Sequence, residues 1–290
     1  MTDDPFVAHR SLLFTVAYEL LGTAADAEDV VQETWLRWAA ARSGPDVRDP
    51  RAYLVRIVTR QSLNRLRTVA RRREDYVGPW LPEPLRTSPD VAEDVELAES
   101  VSVAMLTVLE TLAPTERAVF VLREVFDVSY AEIAATLGKS PAAVRQIAHR
   151  ARDHVAARRP RGTVSRAEQD EVVARFLAAV RGGDLQGLLD VLAPDVVVLA
   201  DGGGVVTAAR HPVHGAARTA KFLVMLAQLP DGYELSPLRL NGGPALRIDL
   251  AGELDTVASL VVQDGRITRI FAIRNPAKLA HLAEEATLTR

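Results

Sequence analysis

Residues 129–155 read SYAEIAATLGKSPAAVRQIAHRARDHV, and the helical half of the fold is decided here. Ser129 precedes an apolar-periodic run and Glu132 stands three residues on, the spacing at which hydroxyl and carboxylate satisfy each other's backbone donors at a helix start. Gly138 supplies a left-handed residue where the chain must reverse. Ser140 then caps a second helix with Pro141 in its first turn, where a missing N–H costs nothing. Small Ala134, four residues before Gly138, with Ile133, Leu137, Val144 and Ile147 predicted to face inward, completes the pattern of a helix-turn-helix. The second helix presents Ala142, Ala143, Arg145, Gln146, His149 and Arg150 outward. Arg145 and Gln146 carry the forked donors and acceptors that base edges in the major groove require, whereas Arg150, Arg152, Arg158 and Arg159 suit phosphates. An ordinary helical hairpin with a solvated basic face is the competing reading.

Outward from this segment the charges are segregated. The 35 Lys and Arg against 38 Asp and Glu give a net charge of -3, which if evenly spread would argue against a nucleic-acid partner. Instead Arg48, Arg51, Arg56, Arg60, Arg65, Arg67, Arg71, Arg72 and Arg73 crowd one stretch with Asp49 as its sole acid. Lys139, Arg145, Arg150, Arg152, Arg158, Arg159 and Arg161 crowd another. Between them runs an acidic tether from Glu74 to Glu99, bearing Asp75, Glu83, Asp90, Glu93, Asp94 and Glu96 with Arg86 as its lone cation. Pro79, Pro82, Pro84 and Pro89 forbid one continuous helix there.

Before the tether, residues 6–42 read as two helices and 50–73 as a third that starts at Pro50. Segment DAEDVVQETWLRWAA puts Asp26, Asp29 and Glu33 on one face and Val30, Trp35 and Trp38 on another, a surface unsuited to DNA and suited to a protein partner. Segment DPRAYLVRIVTRQSLNRLRTVARRR is cationic; its Tyr53 could stack on an unpaired base and its Asn64 hydrogen-bond one, although a solvated basic face reads the same way. After the tether helical periodicity runs from about Val91 to Leu112, breaks at Pro114 and resumes from Thr115 to Val125.

Beyond Arg161 the texture changes. Residues 166–192 are predicted helical, but DVVVLAD, PALRIDL, TVASLVVQDG and RITRIFAI are short β-branched runs, the last two joined by Asp264-Gly265, a hairpin signal. They predict an α+β domain with a curved antiparallel sheet. At 290 residues two or three domains are expected. No apolar run approaches the roughly 20 residues that span a bilayer, and the start lacks a basic region followed by an apolar stretch, so a cytoplasmic protein without a membrane partner is expected. The absence of cysteine excludes disulfides, thiolate metal sites and cysteine nucleophiles. No metal or cofactor is expected.

The order of parts resembles the extracytoplasmic-function sigma factors of bacterial RNA polymerase, members of the sigma-70 family. DAEDVVQETWLRW resembles that family's polymerase-clamp-binding helix, AYLVRIVTRQSLNRLR its promoter-melting helix, and LAPTERAVFVLREVFDVSYAEIAATLGKSPAAVRQIAHRAR its distal helix-turn-helix. The resemblance implies that Asp29, Gln32, Glu33 and Leu36 contact the beta-prime clamp of core RNA polymerase, with the beta flap as a further contact. It implies minus-ten recognition by Tyr53, Arg56, Arg60, Asn64 and Arg67, with Arg60 where other such factors commonly have Asn. Minus-thirty-five recognition in promoter DNA would fall to Ser140, Ala142, Arg145, Gln146, His149 and Arg150.

The remainder resembles the SigJ-like subgroup, whose marks stand here as YVGPWLPEP in the tether, DGGG at 201–204, and NPAKL at 275–279 with Ala277 where Asp is more common. That subgroup carries a C-terminal SnoaL-like domain in the regulatory place of an anti-sigma protein. The resemblance implies a multidomain chain. Residues 1–74 and 98–161 would be all-α sigma domains, 75–97 a linker, and 165–287 an α+β cone. A large apolar Trp80 on a stiff tether is costly to leave in water, and burying it would favour docking by roughly 2 kcal/mol. The expected regulatory contact joins Trp80, Leu81 and Pro82 to Asp201, Gly202, Gly203, Asn275, Pro276, Lys278 and Leu279. Two other classes stay open: a ligand-sensing helix-turn-helix regulator, and an enzyme using Asp195, Asp201, His211 or His214 in a pocket that could also take a small-molecule ligand.

Overall fold

The computed structural model describes residues 4–41, 47–74, 76–87, 91, 94–159, 164–227, 233–283 and 285–290, without side chains at 70–74, 226 and 227. The Arg71, Arg72 and Arg73 side chains, together with Asp75, Pro89, Asp90, Glu93 and Arg161, therefore lie outside the described residues. Among the described residues no helix is long and apolar enough to cross a membrane.

Module 1 is a three-helix unit of α1 (Pro5–Leu21), α2 (Ala24–Ala41) and α3 (Pro50–Glu74). Asp4 starts α1 by accepting from Phe6 N at 3.0 Å, and Gly22 ends it in the left-handed region at φ 73°. The interior is apolar, with Leu13, Leu20, Val30, Leu54 and Val58 almost without exposure.

Module 2 holds α4 (Val95–Ser100), α5 (Val103–Leu109), α6 (Pro114–Phe120) extended by a π turn at Val121–Val125, α7 (Tyr130–Leu137) and α8 (Pro141–Ala156). The helix expected to run unbroken to Leu112 is interrupted at Val101. Ser102 recaps the chain by accepting from Met105 N at 3.1 Å, and the Val101 carbonyl accepts from Asn241 Nδ2 at 2.9 Å instead. A long-range donor thus replaces a local one, which periodicity cannot report. The helix-turn-helix follows its caps: Ser129 and Glu132 bond reciprocally, Gly138 turns at φ 65°, and Ser140 Oγ accepts from Ala143 N at 3.2 Å.

The C-terminal domain is α+β. The helical stretch expected over 166–192 consists of α9 (Arg166–Arg181) and α10 (Leu185–Val191), because Gly183 takes φ 61° and Asp184 caps anew by accepting from Gly187 N at 3.0 Å. Strands β1 (Arg86–Thr87), β2 (Leu192–Asp201), β3 (Val213–His214), β4 (Tyr233–Leu240), β5 (Gly243–Leu250), β6 (Glu253–Gln263), β7 (Arg266–Ile273) and β8 (Glu285–Ala286) form one sheet in the order β3-β2-β7-β6-β5-β4-β1-β8. Two further helices are α11 (Ala216–Ala227) and α12 (Pro276–Leu279). The meander β4 to β7 is antiparallel as expected, and Asp264 and Gly265 both take positive φ, as the tight turn between twisted strands requires. The fully antiparallel expectation is corrected at two places, where β2 runs parallel to β7 and β1 parallel to β8. Those strands arrive from distant parts of the chain, so no hairpin turn dictates their direction.

Both faces of this sheet are covered, which explains why its strands read as nearly continuous apolar runs. Ala258, Leu260, Val262 and Ile270 pack with α9, α10 and α11 on one side. Their neighbours Val257, Phe271 and Ile273 pack on the other with Leu81 of the tether, Val103 and Ala104 of α5, and Leu279. A third cluster runs through modules 1 and 2 and takes in Leu85 and Leu288. The sheet is thus a platform against which tether and module 2 lie.

Asn241, wholly buried in the β4–β5 turn at φ 53°, fastens all of these bodies at one point. Its Nδ2 donates to Tyr18 Oη of module 1 at 2.7 Å as well as to Val101 O, and its Oδ1 accepts from Leu85 N of the tether at 3.0 Å. Replacing Asn241 by Ala strands the Leu85 N–H and the Val101 carbonyl. The expected loss is about 1–3 kcal/mol for each, visible as a lowered Tm and an earlier urea midpoint, and an unchanged denaturation curve would refute the joint.

Candidate polymerase and promoter interface and its internal lock

The outer face of α8 is open to solvent. Burial of Val144, Ile147, Ala148, Ala151 and Val155 on the inner side of α8 leaves Ser140, Ala142, Arg145, Gln146, His149 and Arg150 exposed, with Ala143 half-buried. Arg150 stands 3.6 Å from Glu116 and His149 3.7 Å from Asp153. Leu137, expected inside, is half-buried because it closes the end of α7.

The basic helix α3 is differently placed, lying against α6 and α7 of module 2. Arg60 donates from Nε to the Thr136 carbonyl at 3.0 Å and from Nη2 to the Ala135 carbonyl at 3.2 Å. These carbonyls end α7, where the helix carries its negative pole. Asn64 is exposed and accepts from Arg67 at 3.3 Å. Tyr53 is half-buried, 6.1 Å from the Trp38 ring and with Arg56 at 5.3 Å over its face.

On α2 the acids expected to form a free face are engaged from α3. Arg65 reaches Asp26 at 2.7 Å and Asp29 at 2.6 Å, and Gln61 reaches Glu33 at 2.6 Å. Gln32 and Leu36 are exposed, and Leu36 is the most uncovered large apolar residue of this helix at 67%.

The tether is buried from Leu81 to Leu85. Its anchor is Asp201, at the end of β2 and without exposure. Asp201 Oδ2 accepts from Leu81 N at 2.9 Å and from Lys278 Nζ at 2.7 Å, and Lys278 also donates to the Leu81 carbonyl. Oδ1 accepts from Tyr76 Oη at 2.5 Å and Gly203 N at 3.0 Å, while Asn275 Nδ2 donates to Tyr76 Oη at 2.9 Å. Burial, and then the bond to Asp201, raises the Tyr76 phenol above its ordinary range. The glycines are needed for close approach. A Cβ on Gly202 would stand 2.3 Å from Val206 O, and one on Gly203 would stand 2.4 Å from Asn275 Nδ2. Pro276 opens the short helix α12 that aims Lys278, and Leu279 shares its apolar cluster with Leu81.

Trp80 lies half-buried with its ring 4.1 Å from Lys278 Nζ, and a Cβ on Gly22 would meet the ring at 2.9 Å. Pro82 is buried beside Leu81. Glu83 then binds module 1. Its N donates to Gly22 O at 2.8 Å, its carbonyl accepts from Tyr18 Oη at 2.6 Å, and its carboxylate accepts from Ala24 N at 2.8 Å, capping α2 from outside. Burial raises the Glu83 carboxyl above the usual range against the pull of that bond and of His281 at 3.2 Å. Tyr18, Tyr76, Glu83 and Asn241 escape sequence reading. Tyr76 and Glu83 stand within the YVGPWLPEP stretch, whose letters do not state their partners, whereas Asn241 sits in an LNGGP turn with no distinguishing pattern.

Asp201 is fully engaged by main-chain and side-chain donors, and Asp195, His211 and His214 are exposed.

Residues 6–73 match sigma-70 region 2 and residues 102–155 match sigma-70 region 4. The chain is 40% identical over 290 residues to the ECF RNA polymerase sigma factor SigJ of Mycobacterium tuberculosis, covering 94% of this chain and 91% of that protein. It therefore belongs to the extracytoplasmic-function sigma factors: it is an alternative sigma factor, whose partners are core RNA polymerase and promoter DNA. Within that family the likeness extends through the C-terminal domain. The crystal structure of the M. tuberculosis SigJ aligns with a TM-score of 0.77 at 36% identity, covering 95% of this chain and 97% of that one. The sigma factor SigG of the same organism is 29% identical over 299 residues, covering 90% of this chain and 77% of that protein.

Lys278→Met keeps the length of the side chain and leaves the Asp201 carboxylate buried without a cation. The docked tether should weaken by about 3–5 kcal/mol, and limited proteolysis should cut faster within residues 76–87. Unchanged protection would show that the anchor does not hold the tether.

Proposed function

We propose that this arrangement is the resting state of the factor and that its C-terminal domain acts in cis as the element that holds it silent. The observation that carries the reading is the anchoring of Leu81 by Asp201 and Lys278 together. A tether fixed there at the sheet, and at Gly22 through Glu83, sets the separation of the two modules. Residues 1–74 are the clamp-binding and minus-ten domain, 75–97 the linker, 98–161 the minus-thirty-five domain, and 165–287 the regulatory domain.

In the resting state Arg60 spends its guanidinium on α7, and Asp29 and Glu33 are satisfied internally. Core polymerase must exchange these contacts for its own. Its beta-prime clamp takes Asp29, Gln32, Glu33 and Leu36, and its beta flap takes module 2. Parting the modules frees Arg60 to join Tyr53, Arg56, Asn64 and Arg67 on the unpaired minus-ten strand, while Arg145, Gln146, His149 and Arg150 enter the major groove from a helix started by Ser140 and Ala142. The factor works in the cytoplasm and performs no catalysis. A cleft of 540 Å³ between α4, α5 and the sheet, lined by Arg159, Arg166 and Arg239, is where a small-molecule ligand would touch module 2 and the regulatory domain at once.

Run-off transcription with purified core enzyme tests this reading. Arg145→Glu should lower promoter-specific output by tenfold or more while leaving core binding intact. Trp80→Ala or Lys278→Met should raise affinity for core and expand the free factor in small-angle scattering. Binding of the holoenzyme to promoter DNA should fall by roughly 10³ between low and physiological salt if about six phosphates are neutralised. Failure of the full chain to bind core enzyme, or identical scattering of all three proteins, would overturn the proposal.

A further inference from the structure

Opening must part module 1 from module 2, so a group buried where they meet bears on the conditions of opening. Glu19 is such a group. α1 places it, without exposure, against α4 and α6 of module 2. Its Oε1 accepts from Ser100 Oγ at 2.8 Å, and among the described residues its Oε2 has no hydrogen-bond partner. Arg117 of α6, 2% exposed, is the nearby cation, but its guanidinium serves other acceptors. Nη1 donates to Leu20 O at 2.8 Å, Nη2 pairs with Glu110, and Nε has no partner among the described residues. Among the described residues no ion pair joins Arg117 to Glu19.

The other charged groups around the recess in front of Glu19 are matched among themselves. Glu96 of α4 pairs with Arg290, Glu99 of α4 accepts from Arg159 at 2.5 Å, and Glu124 of the π turn stands 3.4 Å from Arg152. On its own helix the neighbour is Tyr18, whose phenol is buried and raised. A carboxyl so enclosed is tolerated neutral far better than ionised, since an unpaired buried charge loses its hydration without replacement. Burial, offset in part by Ser100 and Arg117, lifts the Glu19 carboxyl to about 8, and the same burial lowers Arg117 to about 9.

We propose that closing the two modules takes up a proton at Glu19, so that falling pH favours the silent form and rising pH releases it. The inference rests on the resting-state reading above. In the open form Glu19 meets water and returns to the ordinary range near 4.5. Between there and about 8 the closed form holds one more proton than the open form. The closed-to-open ratio therefore falls with rising pH, by up to about tenfold per unit. Below the ordinary range both forms are protonated, and the dependence ends.

The chain contains no cysteine, so Ala40→Cys and Ala131→Cys, at exposed positions of α2 and α7, can carry a donor and an acceptor dye on the full chain. Titration with core polymerase from about pH 5.5 to about 8.5 should need up to tenfold less core per unit to separate the dyes. Glu19→Gln keeps the shape and the Ser100 contact, and it should flatten this dependence and hold the factor closed throughout. As a check independent of that variant, calorimetry of core binding in buffers of different ionisation enthalpy should show release of about one proton near neutral pH. Dyes that part with the same slope in both forms, or binding without proton release, would overturn the inference alone. Dyes that never part when core binds would overturn the resting-state reading and this inference with it.

Discussion

A single buried carboxylate organises the chain. Asp201 presents two oxygens at the end of β2, and four donors converge on them: the Leu81 amide, the Lys278 ammonium, the Tyr76 hydroxyl and the Gly203 amide. Its carbonyl accepts from the Arg274 and Asn275 amides as well, which sets the start of α12 and so the position of Lys278. A charge this deeply placed is stable only while its partners stay. Whatever holds the tether therefore holds the end of the sheet, and the two cannot be loosened separately.

From that anchor the remaining contacts follow in order along the tether. Trp80 lies on Lys278, Glu83 caps α2, Leu85 bonds to Asn241, and Arg86 and Thr87 add a strand to the sheet. Apolar burial supplies most of the attraction, through the cluster on the outer sheet face and the core shared by the modules. The polar groups determine how the bodies are oriented, since Asn241 can satisfy Tyr18, Leu85 and Val101 together in only one arrangement. Two cationic modules brought together would repel. Here the Arg60 guanidinium meets the negative end of α7 rather than another arginine, which offsets part of that repulsion.

Legibility followed the range of the interaction. The caps at Ser129, Glu132 and Ser140, the turn at Gly138 and the Asp264-Gly265 hairpin are local, and each residue's chemistry states its conformation. The exposed face of α8 was legible because Val144 and Ile147 mark the opposite side at helical spacing. The interruption at Val101 was not, because its cause is an amide 140 residues away in sequence. Nor was the engagement of Arg60: the same side chain suits a phosphate, a base edge or a helix terminus, and sequence cannot choose among acceptors it does not place.

What the amino-acid sequence determined alone was the inventory: two cationic helical modules, an acidic and aromatic helix, a proline-stiffened tether and a strand-rich domain. Those properties reside in neighbouring residues, whose spacing and side-chain chemistry act within a few turns of chain. The tertiary structure alone decided which of these parts face each other. Tyr18, Glu19, Glu83 and Asn241 acquire their roles only by being enclosed, because removal from water is what turns an ordinary hydroxyl, acid or amide into a demanding partner, and enclosure is a property of packed bodies rather than of any one segment.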